Sequence, residues 1–162
     1  MYEYRAYVVK VVDGDTVDVD IDLGFGVMLK DERVRIMGID TPESRTSDKV
    51  EDLFGEAAKA RLKQILGDEC ILKTQVNKHG EDMKGKFGRV LGTIEVNGKD
   101  ANQSLIEENL AIPYEGGNKD ESRTKYGVQE LWNTYYENPQ EHDDDHEHGD
   151  ENPEAHIDFH EK

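Results

Sequence analysis

The stretch VVDGDTVDVDIDL, residues 11–23, decides how this chain folds, because it carries two signals in one run. From Thr16 onward the residues alternate strictly: Val17, Val19, Ile21 and Leu23 against Asp18, Asp20 and Asp22. A period of two marks a half-buried strand. The valines and the isoleucine face a core. The three aspartates face water, too far apart along one side to converge on an ion. An EF-hand loop does not fit either: counted from Asp18, position six is Leu23 instead of glycine and position twelve is Leu29 instead of an acid. Asp13 and Asp15 differ from the rest. They flank Gly14, where a turn opens the strand, and strand parity carried back points them inward with Val17. An inward carboxylate needs a cation, an arginine or several N–H groups. For Asp13 a structural Asp turn is the alternative.

Working outward, residues 4–12 and 15–23 read as two strands joined at Asp13-Gly14. After Gly24 and Gly26, VMLKDERVRIMGI (27–39) reads as a third strand or a strand pair. It ends at Asp40-Thr41-Pro42, since Pro42 donates no N–H and keeps Thr41 extended. LFGEAAKARLKQIL (53–66) places Phe54, Ala58, Leu62 and Ile65 on one helical face. Residues 69–77 read as strand four and FGRVLGTIEV (87–96) as strand five, across the loop HGEDMKGK. ANQSLIEENLA (101–111) reads as a short helix, with Asp100 and Gln103 resembling a capping box. IPYEGGNK is a loop. Asp120 or Ser122 can cap a last helix carrying Val128, Leu131, Trp132 and Tyr135, and Trp132 at that spacing is core. Five short strands, a helix after the third and helices at the end suit an α+β protein: a five-stranded OB-type β-barrel with three helices.

The 162 residues carry a formal charge of −17. Residues 141–162 hold ten acids, one lysine and five of the six histidines, so much of that charge lies at one end. The segment lacks apolar period and reads as a disordered acidic, His-rich tail (139–162) behind one domain (1–138). Its histidines lack the fixed geometry of a metal site, and its acids have the wrong sign for holding phosphates. The single cysteine, Cys70, excludes an internal disulfide and reads as a small buried hydrophobe. No apolar run approaches the ~20 residues of a membrane span. The N-terminus lacks the pattern of a signal peptide, so an intracellular, cytoplasmic or virus-encoded protein is expected.

Chemistry concentrates in MGIDTPE, residues 37–43. The Asp40 carboxylate and the Thr41 carbonyl are hard oxygen donors. With Asp15 from the other turn they suit Ca²⁺, and two carboxylates leave coordination positions open. Glu43 is near enough to act on a nearby water. RVR (33–35) precedes Asp40, and GKFGR brings Arg89 to the start of another strand. Guanidinium forks bind the charge that builds on a phosphodiester's equatorial oxygens. A cation, a base and two arginines are what phosphodiester hydrolysis requires.

These residues carry a resemblance. VVDGDTV (11–17), RIMGIDTPE (35–43), FGEAA (54–58), KFGR (86–89) and NLAIPY (109–114) resemble the staphylococcal nuclease (thermonuclease) family, over about Tyr4 to Tyr136. The resemblance implies a five-stranded OB barrel with three helices, and a monomer that cuts DNA and RNA with Ca²⁺, leaving 3′-phosphate ends. It makes Asp15, Asp40 and the Thr41 carbonyl the calcium ligands, with Asp13 behind them shaping the metal loop. Arg35 and Arg89 would hold the scissile phosphate. Glu43 would be the general base or order the attacking water. Phe87 stands where the family usually has a tyrosine, which removes a hydroxyl that can contact a terminal phosphate. Lys86 and Tyr114 are further candidates for substrate contact, Tyr114 by stacking on a base. Single-stranded or frayed substrate is expected.

Two other functions compete. A non-catalytic OB module would bind nucleic acid or protein, and such copies of the fold typically lose the catalytic residues. A regulatory or decoy protein would act through the acidic tail. Asp15, Arg35, Asp40, Glu43 and Arg89 are all present, which favours the enzyme.

Overall fold

The computed structural model describes residues 2–42, 47, 49–85, 88–125 and 127. In chain order the elements are Glu3–Asp13 (β1), Thr16–Gly24 (β2), Val27–Ile36 (β3), Ile39–Asp40 (β4), Lys49–Leu66 (α1), Glu69–Thr74 (β5), Val90–Val96 (β6), Lys99–Asp100 (β7), Ala101–Glu107 (α2), Ile112–Pro113 (β8) and Lys119–Lys125 (α3). The tail and the last-helix positions Val128, Leu131, Trp132 and Tyr135 lie outside the described residues.

The main sheet runs β3-β2-β1-β5-β6-β7, and a β3–β6 pairing closes it. Strands β1, β2, β3, β5 and β6 are therefore a five-stranded barrel, the α+β OB-type architecture expected from the order of elements. The closing contact is parallel and short: Val34 opposite Val90, Arg35 opposite Leu91, Ile36 opposite Gly92. Closure draws β5 and β6 close together. A Cβ on Gly92 would stand 2.5 Å from the Lys73 carbonyl oxygen, so only glycine fits there.

Alternation along β2 holds on the inner side, where Val17, Val19 and Ile21 are buried. The outer side differs from expectation. Asp18 is not solvated but buried, because Arg33 lies directly across on β3 and donates to both its oxygens at 2.8 and 3.0 Å. Helix α1 begins at Lys49, ahead of its apolar pattern. It buries Phe54, Ala58, Leu62 and Leu66, one i+4 row, and the half-buried Ile65 packs against the core beside them. Cys70 is buried, and burial, with the Glu69 charge, pushes its thiol up to about 11.

Helix α2 is shorter than 101–111 because Asn109 adopts a left-handed conformation, φ 62°. Leu110 N–H then donates to the Leu105 carbonyl at 2.9 Å and Asn109 N–H to the Ile106 carbonyl at 3.0 Å, a Schellman closure. The expected capping box does not form: the Asp100 side chain makes no capping bond. Helix α3 is capped by Asn118, whose Oδ1 accepts from Glu121 N–H at 3.1 Å, and not by Asp120 or Ser122. Strand β5 ends at Thr74 and β6 starts at Val90, so both are shorter than read from sequence.

Beyond the barrel, β2 and β3 continue as a two-stranded ribbon. Its apolar residues Leu23, Phe25, Val27, Met28 and Leu29 are exposed, and Phe25 at the tip has φ 54°. Among the described residues no helix is long and apolar enough to cross a membrane.

Candidate active site

The first part of the site is the β1–β2 turn. Asp13 pairs with Thr16 across it. Gly14 sits between them, and a Cβ there would meet Ala58 Cβ at 2.7 Å and the Thr41 side chain at 3.1 Å. The missing side chain lets the turn press between α1 and the segment after β4. This brings Asp15 beside Thr41. Asp15 Oδ1 accepts from the Thr16 hydroxyl at 2.9 Å, and Oδ2 accepts from the Thr41 backbone N–H at 3.4 Å. Ile36 N–H donates to the Asp15 carbonyl at 2.8 Å and ties the turn to the end of β3.

Arg35 comes from that strand end and is buried. Its guanidinium donates to the Ile36 carbonyl, and to the Ile39 carbonyl at 2.9 Å. It also stands 3.5 Å from Asp15 Oδ2. The five donors of a guanidinium outnumber these contacts. The fork is therefore held by backbone and still has donors for an anion.

Asp40 is positioned by a two-residue ladder. Ile39 and Asp40 of β4 pair with Pro113 and Ile112 of β8, and Tyr114 N–H donates to the Gly38 carbonyl at 3.0 Å. Asp40 is 2% exposed. Its Oδ2 accepts from Arg123 Nε at 2.9 Å. Arg123 also donates to Glu51 Oε2 at 2.8 Å and to the Thr41 carbonyl at 3.3 Å. Lys119 Nζ lies 3.5 Å from Asp40 Oδ1. That contact is an ion pair without hydrogen-bond geometry, and Oδ1 has no hydrogen-bond partner among the described residues. Burial pulls the Arg123 pKa down, but the Asp40 hydrogen bond and the Asp40 and Glu51 charges more than offset it. Arg123 stays charged.

A buried carboxylate oxygen without a hydrogen bond is costly unless something else occupies it. Asp40 Oδ1, the Thr41 carbonyl and the Asp15 carboxylate offer hard oxygens from two adjacent segments, and this set fits a calcium ion. It is two carboxylates and a carbonyl. Among the described residues no cluster of three or more His, Cys, Asp or Glu side chains has metal-binding spacing.

The sequence-derived residues thus fall into three groups. Asp15, Arg35, Asp40 and Thr41 come together, with Asp13 at the turn behind Asp15. Arg89 immediately precedes Val90, which pairs with Val34, so it enters at the strand next to Arg35. Tyr114 follows β8 and lies opposite Gly38, two residues before Asp40. Its hydroxyl donates to the Gly117 carbonyl at 2.7 Å, and Lys119 Nζ stands 5.9 Å from its ring centroid. Glu43, Lys86 and Phe87 lie outside the described residues. Three residues were not visible from the sequence: Glu51, Lys119 and Arg123. Arg123 lies in the polar run KDESRTK and meets Asp40 across 83 positions. No local pattern marks such a contact. For Glu51 the signal was its place in the first turn of a helix right after DTPE.

Residues 33–133 match the family model described as "Staphylococcal nuclease homologue". Over 108 residues the chain is 33% identical to a thermonuclease of Staphylococcus intermedius, covering 66% of this chain and 58% of that protein. Over 102 residues it is 32% identical to Endonuclease YncB of Bacillus subtilis, covering 63% of this chain and 44% of the relative. It is also 31% identical over 121 residues to Protein ParB of Escherichia coli, covering 69% of this chain and 58% of the relative. The chain therefore spans no more than 58% of the length of these relatives.

Proposed function

Because this chain belongs to the staphylococcal nuclease family, we propose that it is a calcium-dependent nuclease that hydrolyses phosphodiester bonds of DNA and RNA. The observation that carries this reading is the convergence of Asp15, Arg35, Asp40 and the Thr41 carbonyl at one end of the barrel. Burying a guanidinium and two carboxylates there costs stability unless the charges serve something. Relatives described as a thermonuclease and an endonuclease support the same chemistry.

In this reading Asp15, Asp40 and the Thr41 carbonyl hold the calcium ion. Bound there, the ion supplies charge neutralisation to a phosphodiester. Arg35 grips the scissile phosphate, already oriented by the Ile36 and Ile39 carbonyls, and favours the transition state as charge grows on the equatorial oxygens. Arg89 joins from the neighbouring strand. Glu43 takes the proton of the attacking water or orients that water. Asp13 braces the turn that carries Asp15. Cleavage leaves a 3′-phosphate. Tyr114 and Lys86 contact the substrate, Tyr114 through its ring, because its hydroxyl is engaged by Gly117. Unpaired bases reach such a ring more easily than stacked ones, so single strands are preferred. Residues 1–138 form the catalytic unit.

The test is degradation of denatured DNA and of RNA by the purified chain, with Ca²⁺ and with a chelator, beside Arg35→Ala. Cleavage that needs Ca²⁺ and collapses in the variant supports the reading. A folded wild type that cuts neither substrate overturns it in favour of a non-catalytic OB module.

A further inference from the structure

Among the described residues, three carboxylates (Asp15, Asp40, Glu51) meet three basic side chains (Arg35, Lys119, Arg123) through direct contacts of 3.5 Å or less. A divalent cation would add two positive charges beside these three basic side chains, in a mostly buried group. Such an excess is unfavourable where water screens poorly.

The basic groups are not held alike. Arg35 is rooted in barrel carbonyls. Arg123 and Lys119 reach in from α3, a short helix connected to the barrel by the two-residue β8 ladder and a loop. They sit on the very oxygens that suit calcium. Arg123 bonds Asp40 and the Thr41 carbonyl, and Lys119 Nζ stands 3.5 Å from Asp40 Oδ1, the oxygen lacking a hydrogen bond among the described residues.

We infer that Arg123, seconded by Lys119, is a resident counter-cation of the calcium site, so that calcium binding and docking of α3 oppose each other. The inference rests on the calcium reading above. Glu51 completes it. Its carboxylate holds Arg123 against Asp40, and it offers a place for the guanidinium when Asp40 turns to the ion. Arg123 therefore sets how much calcium the enzyme needs. The competing role is the opposite one: a clamp that presents Asp40 and the Thr41 carbonyl to the ion. The two differ in the sign of one measurement.

That measurement is Ca²⁺ binding to the full-length chain by titration calorimetry, with Arg123→Gln beside wild type. Removing a unit charge from within hydrogen-bond reach of a ligand should tighten binding at least ~10-fold. Lys119→Gln, at a half-exposed position that tolerates change, should tighten it by a smaller factor, about threefold, because solvent screens that charge. It also keeps the idea testable if Arg123→Gln does not fold. In wild type, Ca²⁺ should speed hydrogen exchange of the α3 amides, residues 119–125. Weaker or unaltered Ca²⁺ affinity in both variants, or slower α3 exchange on binding, would overturn the competition while leaving a calcium site. No heat of Ca²⁺ binding from any folded version would instead overturn the calcium reading on which it stands.

Discussion

The two ends of the β2–β3 pair invert the usual rule of what is inside and what is outside. At one end Asp15 and Arg35 are buried, with Asp40 beside them. At the other, Leu23, Phe25, Val27 and Met28 stand in water. Both ends belong to the same two strands, so strand propensity does not separate them. The costs do. Exposed apolar side chains are common and cheap. Buried charges are expensive and persist only where partners or function hold them. The informative end is therefore the polar one, and it should be intolerant of change where the tip is not.

Arg35 should show the largest effect. In the proposed function, Arg35→Ala removes a fork whose contribution grows in the transition state. The rate of DNA cleavage should fall by at least ~10²-fold. Arg35→Lys should recover little of it, since a lysine cannot match the fork. Rates measured at saturating Ca²⁺ decide this. A lysine variant near wild-type rate would mean that the buried guanidinium is structural, and the contrast between the two ends would lose its functional half.

Gly14→Ala comes next. Its methyl group would meet Ala58 Cβ at 2.7 Å, and Ala58 sits on a packed helix face that cannot rotate away. Overpacking of this kind costs about 1–3 kcal/mol. Chemical denaturation should give a loss in that range. Activity should fall as well, because the same movement carries Asp15 away from Thr41. Full activity with unchanged stability would show that the turn yields more readily than its packing implies.

How much of this was legible before the structure differs between the same regions. The barrel followed from alternation in β2 and from the order of strands, since burial of Val17, Val19 and Ile21 needs only local periodicity. The DGD turn and DTP were legible because Gly and Pro act locally. What escaped was non-local. Asp18 looked solvated because the sequence does not show that Arg33 faces it across the ladder. Arg123 was missed because its partner Asp40 lies 83 positions away, and Glu51 because its partner Arg123 lies 72 positions away, each through a tertiary contact without a spacing rule. Helix ends were misjudged where a backbone conformation decided them. Asn109 at φ 62° stops α2 although the sequence around it stays compatible with a helix.

At the ribbon tip the expected effects are small. Phe25 holds φ 54° and is fully exposed, so it supplies neither packing nor comfort to the turn. Asparagine tolerates that conformation better than a bulky side chain does. Phe25→Asn should leave the cleavage rate unaltered and raise stability by up to ~1 kcal/mol. A loss of activity would mean that the tip serves the site, and the two ends would no longer be independent.

The mildest test titrates the ribbon between the two ends. Lys30 and Asp31 form a bulge on β3, where the register shifts between the Val19–Glu32 and Ile21–Leu29 pairs and Asp31 takes φ 56°. The Asp20 carboxylate binds this bulge. It accepts from Asp31 N–H at 2.7 Å and pairs with Lys30 at 2.9 Å. The Asp31 backbone bond, then Lys30, lower the Asp20 pKa from its ordinary 3.8. A carboxylate lowered on folding stabilises above its unfolded pKa, and that stabilisation is lost as pH falls through the folded value. The Asp31 amide resonance should therefore shift with a midpoint below 3.8. Asp20→Asn should remove that titration and leave cleavage of DNA at neutral pH unchanged, because the bulge serves the ribbon and not the Asp15 turn. If acid disturbed the Asp15 and Thr41 amides with the same midpoint as Asp31, the ribbon would be coupled to the cleft, and the strands would transmit what their packing is here taken to isolate.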